Sequence, residues 1–392
     1  MNFLIKNGEV FDGSGAPAVC ADLRVRDGLI EEIGVDLPTR GEEEIDASGL
    51  LVMPGLVDLH VHVFSGVGIW SIDPFEAGLR TGVTTLLDAG SAGSLTYPAF
   101  HQHVIERAPE SIFALVNISM EGCLLGHSSV TPTMGELCDA RLINVEAAVQ
   151  AVRDYPERII GAKARLSAVL ADGREENERA ALRGAVKVAE ETGTFCMFHH
   201  AASTLSVSEV VSTMRAGDVY THLYHPEADR PFSQADGRPE EALLEGRERG
   251  VLFDVGHGAG AFLWEVAEAA CQQYGFWPDI ISTDIHQFNL HGPVWDMPTT
   301  MSKFLHLGWP LEKVIQASTS TPARAMRMEE EIGLLKVGRR AEIAILERLD
   351  GAFNLRDVRG TQRKVSCRLA PKMVIKGGEK YSGFDALARA SL

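Results

Sequence analysis

The sequence predicts an α/β protein, a (β/α)8 barrel of the TIM type with a small β-sandwich domain built from both chain termini. Three observations carry that prediction. Short β-like runs broken by turns fill the first fifty residues (FLIKNGEVFDGSG, ADLRVRDGLIEEIG, EEIDASGLLVMPG). They return in the tail as AEIAILE and KMVIKGGEKY, where the Gly-Gly pair reads as a hairpin turn. Between them, eight strand-like runs alternate with helical ones. The span of that alternation is about the ~250 residues such a barrel usually takes.

The strand candidates are LVDLHVH (56–62), TTLLDAG (84–90), IFALVNISM (112–120), RIIGAKARL (158–166), TFCMFHH (194–200), VYTHLYH (219–225), VLFDVGH (251–257) and DIISTDIH (279–286). NVEAAVQAVRDY, ENERAALRGAVKVAEET, SVSEVVSTMRAG and GAFLWEVAEAACQQ carry apolar residues at helical spacing between them. Residues 1–53 and 331–392 then form the small β domain, and residues 54–330 the catalytic barrel. The connection EGCLLGHSSVTPTMGELC (121–138) has no periodicity. A segment of that length is either a lid or binding wall, or a surface insertion.

With 392 residues, 45% hydrophobic and 23% charged, the chain has an ordinary globular profile. Its net charge of −17, with Lys and Arg scattered, offers no basic patch, which excludes nucleic acid and anionic membrane as partners. A small-molecule substrate is the expected partner, and a homo-oligomer is compatible with the sequence. The six cysteines form no CxxC pair and read as reduced, separate thiols. MNFLIKNGEVFDG lacks the features of a signal peptide, and no apolar run reaches membrane-spanning length, so a cytoplasmic location is expected.

His60 and His62 end the first strand candidate. Residues two apart on a strand share a face, so both imidazoles reach one metal. The same HxH spacing at His101 and His103 lies in the helical run YPAFHQHVIERA, where positions two apart diverge by roughly 200°. That pair reads as a solvated helix face. His199 and His200, His222 and His225, His257, and Asp284 with His286 sit at the ends of later strands, the face where such barrels keep their chemistry. Imidazole and carboxylate suit divalent cations, zinc first, with manganese or iron also allowed. Only one of His199 and His200 can face the site; His199 shares parity with Phe195 and Met197. His222 is preferred over His225, which falls past its strand. Asp284 can ligate a metal and accept a proton from water.

Lys163 stands near the end of the fourth strand candidate. An ammonium there would be repelled by metals. A neutral amine that adds carbon dioxide becomes a carbamate, a carboxylate able to bridge two cations. Arg165, two residues on, reads either as a fork for a substrate carboxylate or as a structural ion pair. His257 and His286 are candidates for orienting the substrate, and Tyr224 for shaping specificity.

The set His60-x-His62, Lys163, His199, His222 and Asp284, with the run PGLVDLHVH, resembles the amidohydrolase superfamily, in particular its binuclear members with a carboxylated lysine. The resemblance spans nearly the whole chain and implies two divalent ions. His60, His62 and Asp284 hold one, His199 and His222 the other, and carboxylated Lys163 bridges them. It also implies attack of a metal-bridging hydroxide on an amide or ester carbonyl, with Asp284 as the catalytic proton carrier. Dihydroorotases usually place an arginine where this chain has Phe64. Adenosine-deaminase-like members follow the strand 5 histidine with a glutamate, where this chain has Ala201 and Ala202. GAKARLS, FDVGHGAGAF and STDIH are most similar to the deacetylase-type group, which implies cleavage of a small N-acyl or O-acyl acid. Cyclic amide opening, as in hydantoinases, shares the same centre. Two remoter classes remain. GHGAGA (256–261) fits a loose dinucleotide fingerprint and so a nicotinamide oxidoreductase, but one strand follows it where several are needed. A non-catalytic barrel would not need every ligand position filled.

Overall fold

The structure is a computed structural model that describes residues 1–125 and 134–382. Part of the aperiodic connection (126–133) and the last ten residues lie outside the described residues.

The amino-terminal runs form β1 (Phe3–Val10), β2 (Val19–Arg26), β3 (Leu29–Gly34), β4 (Glu43–Asp46) and β5 (Leu51–Pro54). Seven parallel strands follow in sequence order: β6 (Leu56–Val61), β7 (Val83–Asp88), β8 (Ser111–Asn117), β9 (Ile159–Leu166), β10 (Phe195–His200), β11 (Val219–Thr221) and β12 (Leu252–Phe253). Every residue of β6 and β7 is buried. Burial on both faces is what a parallel sheet covered by crossover helices requires.

The eighth run, DIISTDIH, pairs only at isolated parallel bridges, Ile280 with Asp254 beyond β12 and Ile285 with Val61 of β6. The Asp284 amide donates to the His60 carbonyl at 2.7 Å, and the His62 amide to the Ile285 carbonyl at 3.1 Å. The segment therefore touches both edge strands of the parallel sheet. Among the described residues, no helix is long and apolar enough to cross a membrane.

The helix Glu175–Thr192 shows why the crossovers form. Its first turn carries Glu175, Glu176 and Glu178, favourable at the positive end of the helix dipole. Ala181, Leu182, Ala185, Val188 and Ala189 recur at three- and four-residue spacing and are buried, and Gly193 in left-handed conformation ends the helix.

At the carboxyl end, β13 (Ile343–Arg356), β14 (Gln362–Lys376) and β15 (Glu379–Ser382) join the amino-terminal strands. Gly377 and Gly378, both at positive φ, make the hairpin turn into β15. The order is β15-β14-β13-β5-β1-β2-β3, with β4 also on β1. Where the sequence predicts a sandwich, hydrogen bonding makes one sheet. β1 allows this by pairing with β2 on one side, and with β4 and then β5 along successive stretches.

β13 and β14 are far longer than the short runs read from the tail. Their distal half leaves the sheet and packs on the helix Met297–His306, where the Leu369 amide donates to Ser302 Oγ at 2.9 Å. Trp264, fully buried, donates its indole N–H to the Leu355 carbonyl at 3.2 Å. Trp264→Ala should lower unfolding stability by ~3–5 kcal/mol. Trp264→Phe, which loses the hydrogen bond and part of the ring volume, should cost less, roughly 2 kcal/mol. Urea unfolding curves of the two variants measure both.

Candidate active site

The carboxyl ends of the parallel strands converge on a cavity of about 340 Å³, lined by His60, His62, Trp70, Lys163, Arg165, His199, Ala201, Ala202, His222, Glu227, Ala259, Gly260, Ala261, Asp284, His286 and Phe288. Pleat geometry selects these residues. In the β9–β10 register Met197 lies opposite Lys163 and His199 opposite Arg165, so all four share one face. His200 faces the other way and is held by the Tyr220 hydroxyl at 2.8 Å and the Leu205 carbonyl at 2.9 Å.

Of the sequence-predicted ligands, ring and carboxylate atoms of His60, His222 and Asp284 all lie within 4.8 Å of one another. Asp284 Oδ1 is 3.4 Å from His60 Nε2 and 3.2 Å from His62 Nε2. The His199 and His222 rings are 4.2 Å apart, and those of His60 and His222 5.1 Å. This grouping crosses the division between two metals implied by the resemblance, because His222 meets His60 as well as His199.

Lys163 is fully buried, with Nζ 3.3 Å from His60 Nε2 and 3.0 Å from Met197 Sδ. Burial lowers its pKa to about 8. Burial also pushes His62 and His222 down to about 3, and His60 and His199 well below their ordinary value. The site thus presents neutral imidazoles, a carboxylate and a weakly basic amine, a donor set that fits divalent cations.

The outer nitrogens of three of these imidazoles, those of His60, His62 and His222, are engaged. His222 Nδ1 lies 2.6 Å from the Gly256 carbonyl, which only accepts, so Nδ1 carries the hydrogen and Nε2 turns its lone pair to the site. His62 Nδ1 meets Ser91 Oγ at 2.8 Å, and His60 Nδ1 meets Thr221 Oγ1 at 3.0 Å. Two of these groups stand on unusual backbone: His222 has φ 71° and Asp284 φ 47°. Glycine makes room for them. A Cβ on Gly258 (φ +54°) would sit 2.5 Å from Asp284 Oδ2, and one on Gly256 would collide with Thr221 Oγ1.

Arg165 lines the cavity and also pairs with buried Glu136 at 2.9 Å, with its guanidinium carbon 5.4 Å from the Trp70 ring centre. Burial works against its charge, and Glu136 holds its pKa above the ordinary value. His286 also lines the cavity; its Nδ1 accepts the Phe288 amide at 3.2 Å. His257 does not reach the cavity. Its Nε2 lies 2.5 Å from Lys303 Nζ, and its ring stacks on Phe262. Tyr224 is buried and is not among the cavity-lining residues. Glu136, Trp70 and Phe288 carried no pattern in the sequence that marked them, since each reaches the site from a loop.

The profile of the amidohydrolase family matches residues 51–254 and 264–380. A deacetylase of Agrobacterium fabrum is 32% identical over 96% of this chain and 91% of its own length. A deacetylase of Enterococcus faecalis is 28% identical over 97% and 99%. Among solved structures, an adenine deaminase superposes with a TM-score of 0.88 at 28% identity, covering 97% of this chain and 99% of its own. A dihydroorotase does so at 0.86 and 31%, covering 97% and 98%. The match over most of the chain, including the segments that carry the histidines, the lysine and the aspartate, shows that the chain belongs to the amidohydrolase family.

Proposed function

We propose that the chain is a binuclear metal-dependent hydrolase that removes the acyl group from a small N-acyl or O-acyl acid, as the names of its deacetylase relatives suggest. The observation that carries this reading is the convergence of neutral imidazoles, Asp284 and a desolvated lysine amine on one cavity that also holds a cation, Arg165. In this reading residues 279–286 close the parallel sheet as the eighth strand of a (β/α)8 barrel. Residues 54–330 are the catalytic domain, and residues 1–53 with 331–392 are its small β domain.

His60, His62 and Asp284 would hold one divalent ion, zinc first, and His199 and His222 the second, with Lys163 between them as carbamate. Two such ions, when bound, would bring the pKa of a shared water towards neutrality and polarise the carbonyl under attack. Lys163 forms the carbamate when its neutral amine bonds to the carbon of carbon dioxide and releases one proton. Asp284 takes the water proton and passes it to the leaving nitrogen or oxygen. Arg165, held by Glu136 on the cavity wall, is the cation that would meet a substrate carboxylate. His286, with Nδ1 occupied by the Phe288 amide, carries its hydrogen on Nε2 and so donates.

Cyclic amide opening is the second reading, drawn from the dihydroorotase among the structural neighbours. Phe64 stands against dihydroorotate in particular: the side chain is buried against Phe100, ring centres 4.9 Å apart, and brings no cation to a substrate carboxylate, whereas hydantoinase-type opening shares the same centre and is separated by assay. Ala201 and Ala202 line the cavity with no proton-transferring group, which disfavours deamination.

The deciding experiment screens metal-replete protein against N-acetyl acids, O-acetyl acids and cyclic amides; turnover of the cyclic amides alone overturns the deacylase reading. Lys163→Ala should lower kcat/KM at least ~100-fold, the scale of losing a charge-stabilising group, with partial rescue by short carboxylic acids. Because the Lys163 pKa is lowered to about 8, uptake of labelled carbon dioxide by metal-free protein should rise as pH passes about 8, well below the range of an ordinary lysine. Carbon-13 NMR follows that profile. Gly258→Ala should displace Asp284 and reduce bound metal, measured by elemental analysis, while the protein remains folded.

A further inference from the structure

Thr221, the last residue of β11, stands between His60 and a buried carboxylate. Its Oγ1 is 3.0 Å from His60 Nδ1 and 2.6 Å from Asp254 Oδ2. A hydroxyl has one proton to give. The same Asp254 oxygen takes a second hydroxyl, that of Ser282, at 2.8 Å, and Ser282 Oγ itself accepts the Gly256 amide at 3.1 Å. Asp254 Oδ1 meets no hydrogen-bond partner among the described residues, so Oδ2 is the anchor for both hydroxyls.

With its proton committed to Oδ2, Thr221 offers His60 only a lone pair. Two lone pairs cannot bond, so Nδ1 must carry the hydrogen, and a neutral imidazole has just one. Nε2 is then bare, and it is the atom that faces Asp284 Oδ1 at 3.4 Å and Lys163 Nζ at 3.3 Å. Thr221, Asp254 and Ser282 are all fully buried, so water does not compete for these bonds.

We infer that Asp254, acting through the Thr221 hydroxyl, is a positioning residue that fixes His60 as its Nδ1–H tautomer and presents Nε2 before any cation arrives. The inference rests on His60 being a metal ligand. It assigns a role to two residues that touch neither cation nor substrate. Asp254 also ties β11 to residues 256 and 282, so a purely structural role has to be separated from a tautomeric one.

The test uses full-length protein labelled with nitrogen-15 in histidine and stripped of metal. Long-range NMR reads the tautomer of His60, assigned by the signal that His60→Gln removes. Wild type should show Nδ1–H. In Thr221→Val the Nε2–H form should appear, and zinc affinity, measured by chelator competition, should fall ~10–100-fold. Asp254→Asn should act in the same direction, because its amide can donate to Thr221 and turn that hydroxyl towards Nδ1. Thr221→Ser restores the hydroxyl and should restore both readouts. Unchanged tautomer and zinc affinity in Thr221→Val, or a serine variant as impaired as valine, overturns the inference. If the valine variant fails to fold, the Asp254→Asn and Thr221→Ser pair decides. Wild-type protein that shows the Nδ1–H form but binds no zinc would instead defeat the metal-centre reading and leave the proton assignment standing.

Discussion

A lysine amine without water around it is the constraint on which the rest of this molecule turns. Lys163 is wholly buried, and among the described residues no carboxylate lies within ion-pair distance of its Nζ. Its near neighbours are an imidazole nitrogen and a thioether. An ammonium in such surroundings is costly, so the amine sheds its proton easily and the imidazoles beside it stay neutral. Gly90 belongs to the same arrangement: a Cβ there would fall 2.8 Å from Lys163 Cβ. Burial, more than any single charge, prepares these groups as electron-pair donors.

The architecture exists to hold that burial at one end of a sheet. Strands β6, β9, β10 and β11 and the bridging segment 279–286 each deliver a donor, and helices cover the outside. The cavity wall at 259–261 needs a further brace. Lys303 supplies it, with its amine against His257, the Pro293 carbonyl at 3.2 Å and the Arg356 carbonyl at 2.7 Å. Two carbonyl oxygens and an imidazole nitrogen surround this amine, whose pKa burial lowers well below that of an ordinary lysine. Through Lys303 and Trp264, the long β13–β14 hairpin grips the loop after β12. The terminal sheet therefore reaches the wall of the active site through its hairpin.

Much of this was legible because strand geometry is strict. A period of two brings His60 and His62 together, chooses His199 over His200, and aligns Lys163 with Arg165. The strictness ends where the strands end. β12 has two residues, so parity says nothing about His257, which turns away to Lys303. DIISTDIH reads as a strand by composition, yet the left-handed Asp284 breaks the ladder and leaves two bridges. GHGAGA matches a phosphate-binding pattern, while its first and third residues are small because Thr221 and Asp284 press against them. Glu136 holds Arg165 from a connection with no periodicity. Neighbours distant in sequence decide these positions, and a local pattern does not contain them.

The left-handed backbone at His222 and Asp284 has a consequence for heat tolerance. A non-glycine residue in that conformation carries strain on the order of 1 kcal/mol or more. Glycine or asparagine at either position would relax the chain and remove a donor in the same change. Selection for a sturdier protein in the absence of substrate would therefore erode chemistry at these two positions before it touched the core. Thermal robustness and catalytic competence pull this chain in opposite directions at the same two residues.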